Sequence, residues 1–203
     1  MPEEKPFRVL VEFAKSPPSS AKPLQDLAPW IAAFIAACAL LWSVWVRLVD
    51  LKWKRAETVR TLFTTARAED QFKNAVAMLD VSGYELRNDA SDKVIATIEH
   101  KDILPALAKL SNNYEDDDPD WERDLRIREC FDGLFEFMTE LEFGLRANLF
   151  GFGLVEDRSK YWIECILRLD PTAPVVVKQY CNSTGFHLAL AFMSRFSDFK
   201  KSL

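Results

Sequence analysis

Residues 27–46 read Leu-Ala-Pro-Trp-Ile-Ala-Ala-Phe-Ile-Ala-Ala-Cys-Ala-Leu-Leu-Trp-Ser-Val-Trp-Val, twenty residues without a charge. Wound as a helix, such a run is about 30 Å long, the thickness of a bilayer's hydrocarbon core. A helix at the surface of a soluble core keeps a polar face, and this one has none. The run therefore predicts a single transmembrane helix over 27–49. Which side of the bilayer holds the remaining chain becomes the governing question.

Basic residues bear on that question. Lys15 and Lys22 precede the span, whereas Arg47, Lys52, Lys54, Arg55 and Arg60 follow it. The side richer in Lys and Arg stays in the cytoplasm. The expected topology is an N-terminus outside, in the periplasm, and a C-terminal domain inside. Trp30 marks one interface and Trp42, Trp45 and Trp53 the other, with Arg47 and Lys52 reaching for headgroups. These six residues form the expected membrane anchor. Ala32, Ala36, Ala39 and Ser43 recur at spacings of 4, 3 and 4 and share one face. Small residues there permit close approach of another membrane helix, either a second copy or another membrane protein. A cleavable signal peptide fits poorly, because the run follows a Pro-rich segment and ends at Arg47. Ile35-Ala36-Ala37-Cys38 has the look of a lipoprotein box, but the apolar run continues beyond the cysteine.

Before the span, residues 1–26 read as a Pro-rich tail, with Pro17-Pro18-Ser19-Ser20 as a linker. Phe7, Val9, Val11 and Phe13 alternate with other residues as a short added strand would, or are scattered apolar residues of the tail. Pro29 is expected in the first turn of the span, where a missing N–H costs little.

After the span, no Gly or Pro interrupts Arg55 to Leu79. A stalk helix over 50–82 is expected, ended by Ser82-Gly83 and joining a helical bundle over 83–203. Asn88-Asp89-Ala90-Ser91 reads as a turn, Val94, Ile95 and Ile98 as a short helix, and Asp102 as the cap of a helix with Pro105 in its first turn. Beside it, His100 reads as a surface or capping histidine. Asp116, Asp118 and Asp120 open like a calcium loop, but Trp121 and Ile127 stand where that loop needs Gly and Glu. The stretch is instead an acidic helix start, with Asp118 as cap and Pro119 first in the helix.

The helix expected over 119–148 carries Ile127, Phe131, Leu134, Met138, Leu141 and Leu145 at alternating spacings of 4 and 3, a bundle seam. Phe135, Phe137 and Phe143 widen its apolar arc, while Gly133 and Gly144 weaken it. Gly151 and Gly153 offer positive φ for the following turn. Another helix spans 157–169 with Trp162, Ile163, Ile166 and Leu167 inward. Val175-Val176-Val177 suits a strand, yet no partner strand is evident, so 173–180 is read as a helix. A last helix carries Phe186, Leu190, Met193 and Phe196, capped by Ser183 or Thr184. The fold class is thus all-α.

The arrangement Phe135-x-x-Met138-x-x-Leu141-Glu142-Phe143-Gly144, the turn at Gly151 and Gly153, the helix around Tyr161-Trp162 and the ending Ser194-Arg195-Phe196 resemble a family of uncharacterised bacterial single-span membrane proteins. The resemblance covers residues 130–197. It implies one N-terminal membrane helix, a cytoplasmic all-helical domain of unknown function and a place in the bacterial inner (plasma) membrane. It supplies no catalytic residues.

Chemistry is sparse. Net charge is −5, without the basic surplus of a nucleic-acid binder. Cys38, Cys130, Cys165 and Cys181 form no C-x-x-C, and His100 and His187 complete no ligand set. Reduced thiols fit a cytosolic domain. No Glu-x-x-His supports a di-metal bundle. Cys181 and His187 lie six residues apart without a nucleophile elbow. No catalytic, cofactor-binding or metal residue is assigned and no cofactor is expected. The expected function is a membrane-anchored interaction or scaffold protein. The alternatives are a tethered enzyme with a polar site around Glu140, Glu142, Arg146 and His187, or an accessory subunit of a larger membrane complex.

Overall fold

The structure is a computed structural model describing residues 22–87, 94–109 and 119–202. The tail residues 1–21, the turn at Asn88–Ser91 and the acidic stretch 112–118, Asp118 included, lie outside the described residues. The fold is all-α, with eight helices and one small hairpin among the described residues. The chain divides into two compact units, Met1–Trp53 and Lys54–Leu203.

Helix α1 runs Lys22–Ala68. It begins before the expected span, so residues 22–26 of the expected tail are helical. Pro23 occupies the first turn, and Pro29 falls inside the helix rather than at its start. In the first unit every residue from Pro29 to Leu48 is exposed.

Within the second unit, the last turns of α1 bury Val59, Phe63 and Ala66, spaced 4 and 3 along one face. The helix expected to run on to position 82 stops at Ala68. Glu69 is extended (φ −81°, ψ 126°), and α2 resumes over Asp70–Asp80. Neither Gly nor Pro breaks it; packing does. Phe63 and Phe72 are nine residues apart and would face opposite ways on an unbroken helix. Here both rings lie 5.1 Å from Phe137, and they lie 5.8 and 5.3 Å from Trp162. One extended residue turns Phe72 back into the cluster that Phe63 already occupies.

After the turn at Ser82-Gly83 come β1 (Tyr84–Arg87) and β2 (Val94–Ile98), an antiparallel pair. Tyr84 faces Ile98 and Leu86 faces Ala96, with a bulge between Leu86 and Arg87. The short helix expected at Val94–Ile98 is thus a strand. Its β-branched residues suit a pleated half-buried surface, and the partner strand YELR showed no apolar run by which to find it.

Helix α3 (His100–Ala108) begins after Glu99, whose N–H donates to the Asp102 carboxylate at 2.9 Å. Pro105 lies in the helix interior, not in its first turn. Helix α4 (Trp121–Arg146) is the centre of the bundle and packs against α2, α3 and α7. Pro119 and Asp120 form a turn before it rather than its first residues. Its seam from Ile127 to Leu141 is buried. Its two glycines leave it unbroken because each makes room for a neighbour. A Cβ on Gly133 would come within 2.9 Å of Gln71 Cβ, and one on Gly144 within 2.5 Å of the Phe150 ring. The next turn takes its left-handed residue at Asn148 (φ 55°), not at Gly151 or Gly153.

A short 3-10 turn at Phe152–Leu154 leads to α5 (Glu156–Leu169), α6 (Ala173–Thr184), α7 (His187–Met193) and α8 (Ser197–Ser202). Residues 175–177 are helical, as read from the sequence. The expected last helix is two, α7 and α8. Ser183 and Thr184 do not cap it; their hydroxyls donate to the Tyr180 carbonyl at 2.9 and 2.8 Å and close α6 instead. Gly185 (φ 87°) then reverses the chain.

Candidate functional site

The expected anchor residues all lie on α1. Trp30 is 76% exposed and Trp53 72% exposed, and the rings of Trp42 and Trp45 sit 5.1 Å apart. Arg47 and Lys52 are exposed, as are Ala32, Ala36, Ala39 and Ser43. Among the described residues, one helix is long and apolar enough to cross a membrane, and its apolar stretch has no burial within the protein. Twenty consecutive exposed residues rich in Ala, Leu and Trp are costly in water and favourable in hydrocarbon.

In the bundle, two of the polar residues singled out from sequence, Glu142 and Arg146, pair with each other. Glu142 is buried, and its carboxylate accepts three charge-assisted bonds. Arg195 donates from Nε at 2.7 Å and from Nη2 at 3.0 Å, and Arg146 donates from Nε at 2.8 Å. Burial opposes ionisation of Glu142, but the bonds from Arg195 and Arg146 outweigh it and hold the carboxyl below its ordinary range. This group ties the end of α4 to the segment after α7. Its oxygens are taken, which suits a structural clasp rather than proton transfer. Glu142's partner across the fold lies 53 positions away, and no local pattern could reveal it.

Glu140 sits apart, on the rim of an apolar groove of about 380 Å³ walled by Thr58, Leu62, Phe143, Gly144, Leu149 and Leu188. Partial burial raises its pKa, and the neighbouring carboxylates Glu69 and Glu136 add to the shift. His187 is exposed at the start of α7. Of the four residues of the enzyme alternative, Glu142 and Arg146 are thus bonded to each other, Glu140 lies on the groove rim and His187 is exposed.

Two polar groups were missed from sequence. Asp124, 1% exposed, accepts from Lys109 Nζ at 2.6 Å and from Arg123 Nη2 at 3.0 Å. Tyr180 donates to Asp132 at 2.6 Å while the Arg128 guanidinium lies 5.6 Å from its ring. Burial raises the pKa of both members of this pair, and the Asp132 bond raises that of Tyr180 further. Cys181 beside them is pushed up to about 12, by burial first and then by Asp132. A protonated, buried thiol is a poor nucleophile. Cys130, Cys165 and Cys181 are buried and none is in a disulfide. Among the described residues, no three His, Cys, Asp or Glu side chains are grouped to hold a metal.

A second cleft, of about 550 Å³, opens between α3 and the α5–α6 turn, with His100, Lys101 and Asp170 on its walls. His100 is half-buried, and its Nε2 is buried without a hydrogen-bond partner among the described residues. Asp170 is engaged by the Thr172 N–H and hydroxyl at 2.8 and 2.7 Å.

Comparison with protein-family models, with curated proteins and with solved structures finds no significant match. The family resemblance expected for residues 130–197 has no support in these comparisons.

Proposed function

We propose that this chain is a membrane-anchored helical interaction or scaffold protein that holds its 54–203 unit at the cytoplasmic face of a bacterial inner membrane. The observation that carries the reading is the exposed, uncharged stretch of α1. The orientation rests on the basic flank Arg47, Lys52, Lys54, Arg55 and Arg60. Trp30, Trp42, Trp45 and Trp53 act as interface anchors. The face of Ala32, Ala36, Ala39 and Ser43 supports pairing with a second membrane helix.

Two measurements test this. Alkaline carbonate washing of membranes should leave the protein in the pellet, and release into the supernatant overturns the anchor. Reporters fused after Leu203 should be active as cytoplasmic fluorescent protein and silent as periplasmic phosphatase. The reverse pattern overturns the orientation.

A further inference from the structure

The second unit carries an apolar surface that its own core leaves uncovered. Phe143 is 63% exposed and Leu149 is 50% exposed, on two walls of the groove that Thr58 and Leu62 of α1 complete. Helices α1 and α4 run antiparallel there: Phe63 meets Phe137, while Thr58 shares the groove with Phe143 and Gly144. The end of the bundle where the unit starts, at Lys54, is therefore also the end that presents Phe143 and Leu149. Cations lie at this end, together with the exposed Glu57 beside Thr58. Lys54 and Arg55 are exposed and make no ion pair among the described residues. Arg146, one turn beyond Phe143, is 57% exposed although it bonds Glu142. Glu140 lies a turn deeper along α4.

We propose that this end of the bundle rests on the anionic bilayer to which the span tethers it. In this arrangement Phe143 and Leu149 insert at the headgroup level, and Lys54, Arg55 and Arg146 meet lipid phosphates. The inference rests on the membrane-anchor reading above. Its grounds are chemical fit and connectivity. Exposed apolar side chains beside long cations are the composition of an interfacial surface. Lys54 directly follows Trp53 in the chain, so the patch lies at the end of the second unit that is joined to the span without a linker.

The test uses the full chain in vesicles containing one-third phosphatidylglycerol, with nitroxides at Leu149→Cys or Phe143→Cys. Native Cys38, labelled in the unsubstituted chain, carries the span control, Trp121→Cys, at the opposite end of α4, carries the water control, and all three substituted chains are made on Cys38→Ala so that each holds one nitroxide. Relaxation by oxygen, which enters lipid, is compared with relaxation by a nickel chelate, which stays in water. The oxygen-to-nickel ratio at Leu149 and Phe143 should exceed that at Trp121 at least threefold, and should fall when phosphatidylcholine replaces phosphatidylglycerol. If both sites match Trp121 while Cys38 reports lipid, the inference is overturned and the patch is left to a protein partner. If Cys38 also reports water, it is the anchor reading that fails. An unchanged ratio in phosphatidylcholine overturns the role given to the cations.

Discussion

Removing Arg195 tests whether the Glu142 clasp holds the C-terminal helices to α4. In Arg195→Ala, Glu142 loses two of its three charge-assisted bonds and keeps only Arg146, whose side chain is 57% exposed. A net contribution of about 1.5–3 kcal/mol per bond to a charged group sets the scale. Arg195 is itself partly solvated and Arg146 remains, so the expected loss lies at the lower end, about 3 kcal/mol. For a unit the size of Lys54–Leu203 that lowers Tm by roughly 6–12 °C. The assay is thermal unfolding of the full chain in mild detergent, followed by circular dichroism. The pH dependence supplies a signature that lost packing would not show. The folded-state pKa of Glu142 is depressed below 4.5, so its contribution is present above that value and disappears as pH falls through the folded pKa. The gap between wild type and variant should therefore narrow on acidification below about pH 4.5. A loss under about 0.5 kcal/mol at neutral pH, or a gap that acid leaves unchanged, would refute the reasoning.

Three further outcomes are expected. Trp162→Ala empties the centre of the Phe63–Phe72–Phe137 cluster and should cost about 3–5 kcal/mol in the same melt; a cost under about 1 kcal/mol would show that packing does not hold the break at Glu69. Gly144→Ala drives a methyl into the Phe150 ring and should cost about 1–3 kcal/mol, with much of that loss recovered in combination with Phe150→Leu. In detergent at mildly alkaline pH, a water-soluble thiol reagent should leave Cys130, Cys165 and Cys181 unreacted until denaturant is added; rapid reaction at Cys181 would contradict its burial and its raised pKa of about 12.

What could be read from the residues was what depends on neighbours three or four positions away, or on none. The uncharged run at 27–46 needs no partner to prefer lipid. The seam from Ile127 to Leu141 repeats at helical spacing and is buried along its length. Residues 175–177 read as a helix and form one, although the ground for that reading, the lack of a second strand, overlooks the hairpin. Tertiary structure decided the rest. The break at Glu69 exists because Phe63 and Phe72 converge on rings of α4 and α5, and a helix without Gly or Pro carries no sign of it. The strand at Val94–Ile98 is a strand because Tyr84–Arg87 pairs with it, and that segment is half charged. From sequence Glu142 reads as one member of a polar site, and it is a clasp because Arg195 arrives from 53 residues away. Phe143 looked like core and is exposed. Periodicity gives the direction of a side chain around its own helix axis, and only the placement of other helices determines whether that direction meets protein or solvent.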